Sequence, residues 1–364
     1  MRRARIRDLG VVVGELEPGK YNAITDVSGV KVGQVSLISG EGPLCPGYGP
    51  VRTGVSVVLP HGDNIFKLPV PAAVYTLNGY GKVAGFEQVR ELGMVESPIA
   101  LTNTLNVGLV MDALVAHAIR ENPEIGITAG SVNVIVGETN DGWLNDLQGR
   151  HIRETHVRSA IENASGGPVA EGAVGAGTGT VCFGWKGGIG TASRLLVTDR
   201  CEYTVGVLVQ TNFGRAKDLK ILGVPVGYRF SQLEEIRHQA ESKADRGSVM
   251  IVLATDALLH ARGLERLCVR AGAGLARVGS QYGHGSGDFV IAFCSNREVA
   301  HSHYFSHEII DREKQGRLMD LLFRAVIESV EEAVLNSLTC AETVIGRDGH
   351  TAYALPLDAL LELL

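Results

Sequence analysis

The sequence predicts a layered α/β fold in which amphipathic helices cover β-sheets. Short apolar segments rich in β-branched residues alternate along the chain with longer segments of helical periodicity. The chain has 364 residues, of which 45% are hydrophobic, and can therefore bury a large core. Neither an internal repeat nor a Pro- or Ser-rich linker interrupts the alternation. We therefore expect residues 1–364 to form a single domain.

The predicted strands are apolar at nearly every position. The clearest of them cover residues 131–136, 205–210, 249–254 and 289–294. A continuous apolar run is typical of a strand that is covered on both faces. We therefore expect sheets that lie between other layers.

Two predicted helices have apolar residues on one face, and they should cover the sheets. In the first helix these residues are Val107, Val110, Met111, Leu114 and Ala118. In the second they are Leu264, Leu267, Cys268, Ala271 and Leu275. A long C-terminal helix should span about 318–338, and we expect its solvated side to carry Glu328, Glu331 and Glu332.

Charge and composition exclude several classes of partner. The net charge is -6 and both signs are interspersed, so we expect no nucleic acid partner. No apolar run reaches the ~18 residues that a membrane span needs, so we expect no membrane partner. The segment after the basic N-terminal residues is too short and too polar for a secretory signal. These features predict a cytoplasmic protein that acts on a small molecule or a peptide.

The sequence predicts neither a metal nor a cofactor. His301, His303 and His307 are close in sequence, but the H-E-x-x-H pattern is not completed because residue 311 is Asp. Residues 172–179 are rich in glycine but lack the G-x-G-x-x-G spacing of a dinucleotide-binding loop. The cysteines lack C-x-x-C spacing, which favours reduced core thiols. They are Cys45, Cys182, Cys201, Cys268, Cys294 and Cys340.

One junction places a candidate nucleophile at the start of a buried strand. The charged segment 241–247 ends in Gly247, directly before the apolar run that begins at Ser248. The serine hydroxyl can attack the glycine carbonyl, because glycine has no side chain to hinder the approach. Hydrolysis of the resulting ester leaves a serine α-amine, whose ordinary pKa of ~7.7–8.0 suits a general base at neutral pH. Gly-Ser pairs before strands are usually turns, so this junction alone does not establish self-cleavage.

Six segments that span most of the chain resemble the L-aminopeptidase/D-alanyl-esterase-amidase family, which includes the β-peptidyl aminopeptidases. They occur in the family's order, as GETND (137–141), GAGTG (175–179), KGGIGTASR (186–194), VGVLVQTNFG (205–214), GSVMIVLATD (247–256) and GSGD (285–288). The resemblance implies a four-layer αββα sandwich without metal or cofactor. It also implies self-cleavage between Gly247 and Ser248 into an α chain, 1–247, and a β chain, 248–364.

The resemblance also implies an activity and residue roles. The activity is that of an aminopeptidase or amidase which releases N-terminal residues from small peptides, amides or esters, and members are usually homo-oligomers, often tetramers. Ser248 would be the nucleophile. Ser286 would hydrogen-bond Ser248, and Asp288 would orient it and favour positive charge nearby. Asn212 would donate its amide to the oxyanion, and Glu138 would receive the ammonium group of the substrate.

Three positions depart from the family's pattern. Trp143, a candidate substrate-binding residue, stands where a tyrosine often follows Asn-Asp-Gly, and its indole N–H differs from a phenol. His284 stands in place of a small amide, and Lys82 in place of an acid. The choice among α-, β- and D-aminoacyl substrates therefore stays open.

Two other functions also stay open. A family-like chain with an intact 247–248 bond would be an unprocessed scaffold without hydrolase activity. An enzyme of related self-cleaving architecture could instead transfer an acyl group between amines. Acyl exchange with an amine acceptor would identify such a transferase.

Overall fold

A computed structural model describes residues 2–197, 202–233, 247–296 and 312–364, with the backbone alone over 312–315. Its strands are β1 (Lys31–Ser39), β2 (Val51–Leu59), β3 (Val70–Gly79), β4 (Met94–Val95), β5 (Ile99–Asn103), β6 (Ile135–Thr139), β7 (Val181–Cys182), β8 (Trp185–Lys186), β9 (Ile189–Val197), β10 (Glu202–Asn212), β11 (Ser248–Thr255), β12 (Gly287–Cys294), β13 (Val344–Ile345) and β14 (Thr351–Ala352). Its helices are α1 (Phe86–Leu92), α2 (Val107–Glu121), α3 (Glu154–Glu162), α4 (Val226–Phe230), α5 (Ala261–Arg277), α6 (Arg312–Thr339) and α7 (Leu357–Leu363). None of the described helices is both long enough and apolar enough to span a membrane.

Two sheets stack face to face. The four-stranded sheet has the order β1-β2-β5-β6, and the six-stranded sheet has the order β4-β3-β12-β11-β10-β9. Neighbours β5 and β6 run parallel, as do β11 and β12, whereas β10 runs antiparallel to β11. The short pairs β7–β8 and β13–β14 form separate antiparallel ribbons.

Helices cover the outer face of each sheet. Helices α2 and α3 pack on the four-stranded sheet, and α5 and α6 pack on the six-stranded sheet. Between the sheets, Leu101 and Ile135 belong to one apolar cluster with Met250 and Val252. This arrangement confirms the predicted four-layer αββα sandwich.

Strand β11 is buried along its whole length because it lies in the middle of these layers. Successive side chains of a strand point to opposite faces. Val249 and Ile251 therefore belong to the cluster under the helices, whereas Met250 and Val252 face the other sheet. The same alternation directs Ser248 toward the four-stranded sheet.

Strand β6 begins and ends later than the apolar run that predicted it. It pairs with β5 from Ile135 to Thr139, whereas the prediction was 131–136. The parallel ladder continues past the last aliphatic residue to include Glu138, which pairs with Thr102. Because Val136 packs under α2 and α3 whereas Ile135 faces the other sheet, strand alternation puts the Glu138 carboxylate on the helix side of the strand end.

The prediction of a solvated carboxylate face on helix α6 was wrong. Glu328, Glu331 and Glu332 are all buried. The buried Arg194 of β9 lies 3.1 Å from Glu328 and 2.7 Å from Glu332, and Arg277 of α5 lies 3.1 Å from Glu331. These acidic residues face the protein because arginines from other elements neutralise them.

The cysteines are partly as expected. Cys182, Cys268 and Cys294 are free and buried, which confirms core thiols at these positions. Cys45 is free but exposed, so that prediction was wrong for Cys45. Cys201 lies outside the described residues.

Candidate active site

Strand pairing brings three chain segments together at one end of the central strands of the six-stranded sheet. Ser248, the first residue of β11, is paired with Asn212, the last residue of β10, and with Gly287, the first residue of β12. Because β12 is parallel to β11 while β10 is antiparallel, the starts of two strands meet the end of the third. Residues separated by more than 30 positions in sequence thus become neighbours around Ser248.

The surroundings of Ser248 suit a nucleophile. The residue is 3% exposed, and its Oγ makes no hydrogen bond to any described residue. The carbonyl of Gly247 accepts a hydrogen bond of 3.1 Å from the Gly287 N–H, which polarises it. A Cβ atom on Gly247 would lie 2.3 Å from the carbonyl oxygen of Asn212, so this approach of two backbones requires glycine.

Asn212 has a fixed amide orientation. Its Oδ1 accepts a hydrogen bond of 3.0 Å from the backbone N–H of Val181 in β7. The carbonyl oxygen of the amide must therefore face β7, which directs the Nδ2 donors away from β7. Next to Ser248, this group has the donor chemistry of an oxyanion hole.

Ser286 and Asp288 form a buried pair beside the nucleophile. The Ser286 hydroxyl donates to Asp288 Oδ1 at 2.7 Å. The predicted hydrogen bond between Ser286 and Ser248 is not formed in this structure. Strand alternation explains the difference, because Asp288 lies on the face of β12 that carries Val290 under the helices, whereas Ser248 faces the other sheet.

Glu138 approaches from the four-stranded sheet. It is 3% exposed, its Oε1 accepts a 3.0 Å hydrogen bond from the backbone N–H of Lys82, and its Oε2 accepts one from the Thr104 hydroxyl. Burial raises the pKa of Glu138, and the Thr104 and Lys82 contacts partly oppose this rise. Thr104 was not predicted from the sequence, because no motif connects it to residue 138.

Residues 80–84, which we call the strap, connect the edges of the two sheets. They follow β3 of the six-stranded sheet, and Ala84 exchanges two backbone hydrogen bonds with Val136 of β6. A Cβ atom on Gly81 would lie 3.2 Å from Glu138 Oε1 and 3.3 Å from Gly287 Cα. The strap therefore places Glu138 close to the sheet edge where β11 and β12 begin.

The Trp143 side chain packs against the segment between β13 and β14. Its indole is 53% exposed and stacks on the His350 ring, with centroids 3.6 Å apart and planes at 5°. The loop is fixed further by a 2.8 Å hydrogen bond from Arg347 Nε to the carbonyl of Gly142. No described contact joins Trp143 to Ser248, so its role toward substrate stays a prediction.

Lys186 is a buried cation that the sequence did not single out as functional. Its ammonium donates to the carbonyls of Gly177 at 2.9 Å and Gly187 at 2.7 Å, and burial lowers its pKa to about 7. The next residue, Gly188, accepts a 2.9 Å hydrogen bond from the backbone N–H of Thr211. Lys186 therefore supports the backbone adjoining the end of β10.

Within the described ranges, no group of three or more His, Cys, Asp or Glu side chains is placed to hold a metal ion. His301, His303 and His307 lie outside those ranges.

Comparisons with known proteins agree over nearly the whole chain. Residues 22–352 match the model of peptidase family S58. The chain is 42% identical to the β-peptidyl aminopeptidase BapA of Sphingosinicella microcystinivorans, over 99% of this chain and 91% of that protein.

Solved structures show the same fold. A Pyrococcus horikoshii OT3 protein superposes with a TM-score of 0.89 at 46% identity, covering 99% of this chain and 98% of that one. The L-aminopeptidase D-Ala-esterase/amidase of Ochrobactrum anthropi superposes with a TM-score of 0.86 at 35% identity, with the same coverage. That enzyme is described as a prototype of the serine aminopeptidases and as a variant of the Ntn hydrolase fold.

Proposed function

The chain belongs to peptidase family S58 and is a peptide hydrolase with an N-terminal nucleophile, and on this premise we propose that Ser248 is that nucleophile, freed by cleavage of the chain's own Gly247–Ser248 bond. The observation that carries the proposal is the pairing of Ser248 with Asn212 and Gly287 at the ends of three neighbouring strands. The site thus combines a hydroxyl, a fixed amide donor and a glycine carbonyl.

Self-cleavage begins with attack of Ser248 Oγ on the Gly247 carbonyl carbon. The C–N bond breaks as an ester forms at Oγ, and the proton from Oγ passes to the departing amine. Water then hydrolyses the ester, which leaves a carboxylate on Gly247 and a free α-amine on Ser248. The Gly287 N–H supports this reaction, because it is already hydrogen-bonded to the oxygen that becomes negative.

Substrate hydrolysis repeats the same chemistry on another carbonyl. The Ser248 α-amine takes the proton from Oγ as Oγ attacks, since its ordinary pKa of ~7.7–8.0 suits a base at neutral pH. The Asn212 amide donates to the oxyanion, a contact whose loss typically costs ~10²–10³ in rate. Asp288, which accepts a hydrogen bond from Ser286, directly follows Gly287, the residue of β12 that is paired with Ser248. Its negative charge favours the charged state of the amine.

Glu138 explains a preference for free N-termini. Its buried carboxylate lies against Gly81 of the strap, close to the start of β12, and a substrate ammonium group that reaches it can form a charge-assisted hydrogen bond. A peptide bond in the middle of a long chain offers no such cation. We propose N-terminal β-aminoacyl amides and short peptides as substrates, since the Sphingosinicella relatives are β-peptidyl aminopeptidases. Trp143, exposed above its stacked His350, is the proposed contact for the leaving part of the substrate.

We also propose that the protein acts in the cytoplasm as a homo-oligomer. The free cysteines of the described residues favour a reducing compartment. The proposed oligomer rests on the resemblance to a family whose members are usually homo-oligomers, and its size can be measured by light scattering.

The proposed cleavage is tested by intact mass and N-terminal sequencing of freshly purified protein. We expect two chains, 1–247 and 248–364, the smaller beginning Ser-Val-Met-Ile. Ser248→Ala should remain one chain and lose all hydrolysis of β-aminoacyl p-nitroanilides, because it lacks the attacking oxygen. A control, Ser28→Ala in the exposed turn before β1, should be cleaved and active like the natural chain.

Two results would contradict the proposal. A Ser248→Ala protein that is cleaved at the same bond would remove the nucleophile from Ser248. An unbroken natural chain without hydrolase activity would instead favour the unprocessed scaffold.

A further inference from the structure

Lys82 places a second charge beside the proposed ammonium site. Its backbone N–H touches Glu138 Oε1 at 3.0 Å, and its side chain is exposed in the middle of the strap. Among the described residues, no carboxylate forms an ion pair with its ammonium group. The Lys82 charge nevertheless acts on Glu138. Burial raises the pKa of that carboxyl, and the positive charge of Lys82 is one of the effects that partly oppose the rise.

This cation affects what can bind. If Glu138 receives the substrate ammonium group, as proposed above, the Lys82 ammonium repels that same group. A substrate that also carries a carboxylate turns the repulsion into an attraction. Because the Lys82 backbone contacts Glu138 and the Lys82 charge acts on that carboxyl, we expect the preferred substrate to carry its two charges close together.

We propose that Lys82 makes the site selective for N-terminal residues that bear a carboxylate on the same carbon as the ammonium group. The L-isoaspartyl residue is the β-aminoacyl group of this kind, since its reacting carbonyl is one methylene away from the carbon that carries both charges. The ammonium binds Glu138 and the carboxylate binds Lys82. This assignment rests on the proposed function of Ser248 and Glu138.

The reaction on such a substrate needs no further reactant. Ser248 Oγ attacks the isoaspartyl side-chain carbonyl carbon, the amide C–N bond breaks, and the amine leaves with the proton taken from Oγ. Water then cleaves the ester at Oγ. The products are free aspartate and the amine.

A matched pair of substrates tests the proposal. The p-nitroanilides of L-isoaspartate and of 3-aminobutanoate of the same hand differ only by a carboxylate in place of a methyl group. We expect kcat/KM to be higher for the isoaspartyl compound in the natural chain. The α-aspartyl p-nitroanilide, in which a methylene separates the charges, should be the poorer aspartyl substrate.

Variants identify the residue responsible. Lys82→Met should lower the isoaspartyl-to-aminobutanoyl ratio of kcat/KM by about twofold to fivefold, through KM, since an exposed charge pair contributes little more. Lys82→Glu should lower it further and favour the neutral substrate. Lys67→Met is the control: Lys67 is exposed, lies 3.6 Å from Glu124 after helix α2, and has no part in the site. Its ratio should match that of the natural chain.

The outcomes separate this proposal from the one it rests on. Hydrolysis of neither p-nitroanilide by a cleaved chain would overturn the proposed function. Hydrolysis of the aminobutanoyl compound with no preference for the isoaspartyl one, or a preference that survives in Lys82→Met, would overturn the role of Lys82. A preference for α-aspartyl over isoaspartyl would overturn the assignment of the substrate.

Discussion

Glu138 has to remain charged in a place where burial opposes charge. Its carboxylate must be ionised to hold a substrate ammonium group, and its pKa is raised by burial. Activity should therefore fall as the pH falls through this raised pKa. The Thr104 hydroxyl, which donates to Glu138 Oε2, limits the rise because it stabilises the ionised form.

Replacing Thr104 should move the acid limb of the pH profile. Thr104→Val removes a hydrogen bond to a charged group, which is worth about 1.5–3 kcal/mol. The acid limb of the kcat/KM profile should therefore shift to higher pH by about one pH unit or more. Thr104→Ser keeps the hydroxyl and should restore the natural profile. If Thr104→Val lowers kcat/KM equally at every pH, Thr104 acts on the packing of the site and not on the charge of Glu138.

Sequence patterns predicted some site residues and missed others for a physical reason. Ser248, Asn212 and Glu138 stand in segments whose order along the chain resembles a known family. Thr104 and Lys186 act through contacts with residues far away in sequence, and a single threonine or lysine has no pattern of its own. The predicted Ser286–Ser248 bond failed because it depends on which face of each strand the side chains occupy.

At the scale of elements, helix α6 shows why periodicity alone can mislead. The pattern of α6 is amphipathic, but Glu328 and Glu332 point toward the six-stranded sheet. Arg194, an interior residue of β9, makes this orientation favourable. Charged residues are normally placed at the surface, so the sequence predicted the wrong side. The apolar strands were easier to predict, since burial on both faces leaves a continuous run.

The charge pair of α6 and β9 can be measured through Glu332. Burial opposes its charge, but hydrogen bonding from Arg7 and the charge of Arg194 outweigh this effect and lower the pKa of Glu332. Glu332→Gln should destabilise the fold by up to about 3–5 kcal/mol, because Arg7 loses the carboxylate that it binds and the buried Arg194 keeps Glu328 alone of its two carboxylate partners. Urea unfolding in the Ser248→Ala background measures this on one continuous chain.

The pH dependence gives a second measure of the same pair. A lowered pKa means that ionised Glu332 stabilises the fold above its ordinary pKa, and this contribution is lost as the pH falls through the lowered value. The difference between Glu332 and Gln should therefore shrink toward acid pH. Glu15→Gln is the control, since Glu15 and its partner Arg324 are 78% and 50% exposed, and its effect should stay within about 0.5 kcal/mol. An equal loss in both variants would show that the buried pair has no special weight.

At the scale of the molecule, the proposed cut divides elements that remain neighbours. Strand β11 would begin the 248–364 chain, yet it lies between β12 of the same chain and β10 of the other. Strand β3 of the 1–247 chain pairs with the far side of β12. Arg7 and Arg194 of the first chain also bind Glu332 of the second.

The two chains should therefore remain together after the cut. On a sizing column without denaturant, 1–247 and 248–364 should elute as one species, because separation would expose both faces and both edges of buried strands. In denaturant they should separate. Recovery of the small chain alone from the native column would contradict this interleaved arrangement.

The insertion of β11 between β10 and β12 determines whether the protein can refold after it has been cut. Before the cut, the six-stranded sheet forms within one polypeptide, and its assembly does not depend on concentration. Afterwards, a molecule that opens completely becomes two polypeptides, each lacking strands that the other holds, so recovery requires a second-order encounter and competes with aggregation. Maturation would then be a one-way step, and the working lifetime of the enzyme would be set by how slowly the sheet opens.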